Sequence, residues 1–187
     1  MNVLVIRGYY SKGDSVEHCE INGLKVKITT VALGSPIFVR RKLNKIINKY
    51  QVNAQNYDLI YAISMSAGIS SLLDKKLYCK LHLVTPFFIH YKTMLVLRKV
   101  KFRKFLGAYL LLLLNGSLGK LNKAIRITLA ENDDIVDNKF FQRTFDKYNI
   151  IKGSGHTLSD EVIHDIIKKD IENIYPELKF SSDHAAS

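Results

Sequence analysis

Short apolar runs alternate with helix-forming segments along nearly the whole chain, and that alternation leaves few folds open. The run NVLVIR, from Asn2 to Arg7, ends at Gly8, as a buried strand does when it enters a loop. Leu24 to Leu33, LKVKITTVAL, is rich in β-branched residues and partly alternating, which predicts a second strand. Pro36 then opens a segment in which Ile37, Val39, Leu43, Ile46 and Ile47 recur at helical spacing between Lys and Arg. YDLIYAIS reads as a strand, AGISSLLDKK as a helix and YCKLHLVTPF as another strand. Beyond a longer insertion come AIRITLA, NKFFQRTFDKY, NIIKGSG and LSDEVIHDIIKKDIENI, which read as strand, helix, strand and helix. Apolar strands separated by helices predict an α/β fold, a mostly parallel central sheet with helices on both faces.

With 187 residues the chain is long enough for one domain with a real core. A single domain is expected over residues 1–180, with 181–187 a frayed tail. Lys and Arg number 28 against 17 Asp and Glu, a net charge of +11, which favours anionic surroundings. No nucleic-acid module is recognisable, so nucleic acid ranks last among such partners. Cys19 and Cys79 form no C-x-x-C pair and no His/Cys cluster of zinc spacing, so neither a metal nor a disulfide framework is indicated. The first residues read as a strand and not as a signal peptide. The longest apolar run, Phe105 to Leu114, falls short of the roughly 20 residues that span a bilayer. A cytoplasmic protein is expected, with peripheral membrane contact as an option.

Parallel sheets collect their chemistry at the carboxyl ends of the strands. Ser64 to Gly68, Ala130 to Asp134 and Gly153 to His156 all follow predicted strands, so a serine, a carboxylate and a histidine gather at one edge. Their chain order is Ser, Asp, His. The small residues of SMSAG suit a tight strand-to-helix turn that lifts a serine clear of its neighbours, and a serine needs a base within hydrogen-bond reach to attack.

These pieces resemble the α/β-hydrolase superfamily, particularly its small single-domain serine esterases with a reduced strand number. SMSAG resembles the G-x-S-x-G nucleophile elbow with Ser64 in place of the first glycine, which implies Ser66 as nucleophile and Ser64 as the small packed residue. AENDDIVD resembles the acid loop and puts the carboxylate on Asp133, with Asp134 as its rival. GSGHT resembles the turn that delivers the base, His156. The resemblance further implies an oxyanion hole from the backbone of Ala67 and of Tyr9 or Tyr10. Arg7 stands where the family usually has a histidine.

In that family a lid occupies the position of the insertion, here around 87–120. Met65, Met94, Leu97 and Phe102 are the expected substrate-lining residues. Arg98, Lys99, Lys101, Arg103 and Lys104 crowd beside them as a surface for an anionic membrane. The implied activity is cleavage of a carboxylic ester or thioester, on a small-molecule or lipid-like substrate, with no metal or organic cofactor. Acyl transfer through the same triad is an alternative, as is a non-catalytic binding protein of the same fold.

Overall fold

The computed structural model describes residues 1–8, 13–34, 38–87, 123–136, 138–145 and 148–175. Seven strands form one sheet: β1 (Asn2–Arg7), β2 (Ser15–Ile21), β3 (Leu24–Ala32), β4 (Leu59–Ile63), β5 (Leu81–Val84), β6 (Arg126–Ala130) and β7 (Asn149–Ile151). Their spatial order is β2-β3-β1-β4-β5-β6-β7. Every neighbouring pair is parallel except β2 with β3. The register pairs Arg7 with Ala32, Ala62 with Ile6 and Val84 with Ile63, so the parallel strands finish along one edge of the sheet.

The antiparallel strand β2 has no counterpart in the sequence reading. Its residues, SVEHCEI, are mostly exposed and carry no apolar alternation, because it is an edge strand with little core to cover. The signal that could have revealed it is the turn Asn22-Gly23. Both residues adopt positive φ (50° and 78°), as a two-residue hairpin turn that follows the strand twist requires.

Side chains of each central strand divide between two cores, as the two-residue period of a strand demands. Leu4, Ile6, Ile60 and Ala62 pack on one face with Val39, Leu43 and Ile46 of α1 (Val39–Lys49) and with Phe141 of α2 (Asn138–Thr144). Val3, Val5, Leu59, Tyr61 and Ile63 pack on the other with Ile163, Ile167 and Ile171 of α3 (Asp160–Ile174). Those three isoleucines recur every fourth residue and are almost fully buried. Each contributes on the order of 1.5–3 kcal/mol by leaving water. Ser159 starts α3 by accepting the amide of Val162, and Asp160 and Glu161 complement the helix dipole.

A buried polar cluster also fastens α3 to the sheet. Asp170 accepts from Tyr61 Oη at 2.8 Å and pairs with His82 Nδ1 at 2.6 Å, while Arg126 approaches to 3.5 Å. His82 Nε2 lies 2.8 Å from Thr128 Oγ1. Burial pushes the Asp170 carboxyl upward. The bond and charge of His82, the charge of Arg126 and the bond from Tyr61 outweigh it, and the group ends below its ordinary value.

The sequence reading places a helix over AGISSLLDKK. The chain instead forms a 3₁₀ helix over Ser64–Ser71 and a second over Lys75–Lys80, so β5 begins only at Leu81. Among the described residues, no helix is long and apolar enough to cross a membrane.

Candidate active site

Strand β4 runs straight to Ile63 in extended backbone, and at Ser64 the chain turns sharply with φ at 56°. That left-handed conformation is uncommon for a residue with a side chain, and it aims the Ser64 hydroxyl out of the sheet edge. Two residues before it Ala62 is fully buried, and two residues after it Ser66 is fully buried. The tight turn needs small residues at both places, and A-I-S-M-S supplies them around Ser64.

The serine at this turn stands two residues before the Ser66 that the sequence points to. Ser66 Oγ is directed inward, donating to the Ile6 carbonyl at 2.6 Å or the Ile63 carbonyl at 2.9 Å. Its hydroxyl satisfies backbone acceptors and does not meet His156. Ser64 Oγ lies 2.7 Å from His156 Nε2. The signal was present in YDLIYAIS, whose strand pattern stops at Ser64. The run of small residues through Gly68 obscured which serine stands at the tip.

His156 reaches Ser64 from the loop after β7, and its other ring nitrogen meets Asp133. Nδ1 lies 2.9 Å from Asp133 Oδ2 and 3.1 Å from Oδ1. The two loops are zipped together: the amide of Asn132 donates to the Ser154 carbonyl at 2.9 Å, and that of Gly153 to Glu131 Oε2 at 2.8 Å. Asp133 is held in turn by the amides of Ile135 and Val136, at 2.9 and 2.8 Å, and its side chain is wholly buried. Asp134 is exposed. A buried carboxylate fixed by two amides orients the imidazole with Nδ1 protonated, which leaves Nε2 free to accept from Ser64.

Gly8, just past β1, fits closely against the elbow. A Cβ there would sit 3.0 Å from the Ile63 carbonyl oxygen, 3.0 Å from Ser64 Cβ and 3.4 Å from the Met65 amide nitrogen. Arg7 pairs with Asp160 at the start of α3.

Ala67, expected at an oxyanion hole, is fully buried inside the 3₁₀ helix. With the tip at Ser64, the residue that follows it is Met65. The Met65 side chain is buried and belongs to the same core cluster as Leu43 and Leu77. Tyr9, Tyr10, Met94, Leu97, Phe102 and the basic group Arg98, Lys99, Lys101, Arg103 and Lys104 lie outside the described residues, as do the expected lid beyond Phe87 and the tail 181–187. Among the described residues, no group of three or more His, Cys, Asp or Glu could hold a metal ion.

No protein-family model matches this chain, and no curated protein matches it. Among solved structures it is similar to MGS-MChE2, an α/β hydrolase enzyme from the metagenome of sediments from the lagoon of Mar Chica, Morocco. The identity is 16%, covering 96% of this chain and 92% of that one, with a TM-score of 0.47. It is also similar to a marine microorganism esterase, at 15% identity over 91% of this chain and 94% of that one, with a TM-score of 0.44.

Proposed function

We propose that this protein is a serine hydrolase of the α/β-hydrolase type that cleaves a carboxylic ester or thioester. One observation carries the reading: Ser64 Oγ, His156 and the buried Asp133 carboxylate form an unbroken hydrogen-bonded chain from three strand ends. A serine hydroxyl at neutral pH needs such a partner before it can attack a carbonyl.

In this reading Ser64 Oγ attacks the carbonyl carbon as His156 Nε2 takes its proton. The tetrahedral oxyanion collapses, and His156 returns the proton to the departing alcohol or thiol. Water, activated by the same imidazole, then releases the acid and regenerates Ser64. Asp133 keeps Nδ1 protonated and stabilises the imidazolium without taking the proton itself. The Met65 amide, first after the nucleophile, is the oxyanion donor this register requires.

The test is treatment with a fluorophosphonate followed by peptide mapping. The expected adduct sits on Ser64, is absent from Ser64→Ala and His156→Ala, and persists in folded Ser66→Ala. An adduct that follows Ser66, or none on folded wild-type protein, removes this assignment.

A further inference from the structure

Ser64 and Thr85, with φ of 56° and 42°, close the neighbouring strands β4 and β5 in left-handed backbone. For Thr85 this is costly twice over. Its branched Cβ disfavours positive φ, and the residue before a proline is ordinarily driven to extended backbone. Such conformations persist only where the surroundings over-determine them, and they cluster at functional sites.

The surroundings of Thr85 are specific. The residue is fully buried, and its amide donates to the Thr128 carbonyl on β6 at 2.8 Å. Its hydroxyl points toward the His156 carbonyl at 3.4 Å, longer than the roughly 2.5–3.0 Å of an ordinary O–H···O bond. Pro86, buried beside it, fixes its own φ and stiffens the segment. Phe87 then donates its amide to the Ser64 carbonyl at 3.1 Å. One three-residue segment thus bonds the main chain of the serine and faces that of the histidine.

We propose that Thr85-Pro86-Phe87 is a strap that sets the distance between Ser64 and His156, with Thr85 as its positioning residue. The strap rests on the hydrolase reading for what the pair does, and on its own hydrogen bonds for how the pair is held. The left-handed turn at Thr85 lets the chain double back, so that the Phe87 amide meets Ser64 while the Thr85 hydroxyl stays with His156.

The experiment compares four single variants of the full chain, each checked for folding by thermal unfolding. Thr85→Val keeps the shape and drops the hydroxyl, and Thr85→Ser restores it. Phe87→Pro deletes the amide, and Phe87→Leu retains it. Two readouts are taken: the rate of fluorophosphonate labelling, and the His156 ring resonances in ¹⁵N-histidine-labelled protein, including the Nδ1 proton shared with Asp133. Thr85→Val and Phe87→Pro are expected to slow labelling about tenfold or more and to move the His156 resonances. Thr85→Ser and Phe87→Leu should stay within about twofold of wild type. Unchanged resonances and labelling in Thr85→Val overturn the strap, and that variant alone decides if Phe87→Pro does not fold. Should the wild-type protein resist labelling while the resonances still move, the strap stands and the hydrolase reading falls. Resistance to labelling with unmoved resonances removes both.

Discussion

Ser64 and His156 stand 92 residues apart in the chain and 2.7 Å apart in space, while Ser66 turns its hydroxyl into the protein. The two serines therefore have different partners, and on the proposed hydrolase mechanism substitution should separate them. Ser64→Ala is expected to fold normally and lose on the order of 10⁶ in kcat. Ser66→Ala leaves the carbonyls of Ile6 and Ile63 without that donor, which costs about 1–3 kcal/mol. Urea unfolding should report that loss, while turnover at a temperature where the variant is folded stays within about an order of magnitude of wild type.

In the proposed mechanism Asp133 acts through the imidazole, so Asp133→Asn tests orientation. An asparagine can still accept from the amides of Ile135 and Val136, and the loop should hold its shape. Its NH₂ cannot accept the Nδ1 proton, which favours the wrong tautomer. The expected loss in kcat is on the order of 10⁴, with little change in KM. Asp134→Asn, at an exposed position, should leave ester turnover unchanged.

Gly8→Ala probes the close approach behind the elbow. The added methyl would meet the Ile63 carbonyl and Ser64 Cβ at 3.0 Å, and both belong to the turn itself. The turn must move by a few tenths of an ångström. Overpacking of this kind costs about 1–3 kcal/mol, and kcat should fall by at least about tenfold because the displaced group is the proposed nucleophile. Thermal unfolding and steady-state kinetics on the same preparation separate the two effects.

Asp170 gives the fold an acid limit. Its carboxyl is below its ordinary value in the folded protein, so the folded state binds the proton less readily than the unfolded chain. The stability from ionised Asp170 is fully present above the unfolded value, about 3.9, and is lost as pH falls through the depressed folded value. Urea unfolding between pH 6 and pH 3 should show stability falling with acid. Asp170→Asn should flatten part of that slope. It should also destabilise the protein by about 3–5 kcal/mol near neutrality, because His82 and Arg126 lose a buried partner.

The central parallel strands were legible because they are buried on both faces and read as nearly unbroken apolar runs, as Leu59 to Ile63 does. Strand β2 was not, since an edge strand buries little and is held by main-chain bonds that need no apolar pattern. The helix after β4 was misread for a related reason. Small residues permit several backbone geometries, and the chain takes the tighter 3₁₀ turn.

By itself the sequence determined the order of the parallel strands, and therefore which loops follow them at one edge of the sheet. Local apolar periodicity and topology are enough for that. Which serine faces His156 was decided only by the tertiary structure. Ser64 and Ser66 are chemically identical and two residues apart, and the choice depends on where β4 ends, on the close fit of Gly8, and on Ile6 and Ile63 carbonyls that accept from Ser66. Those carbonyls come from β1 and β4, and a buried hydroxyl needs an acceptor that its neighbours present. No run of residues around the serines records that environment.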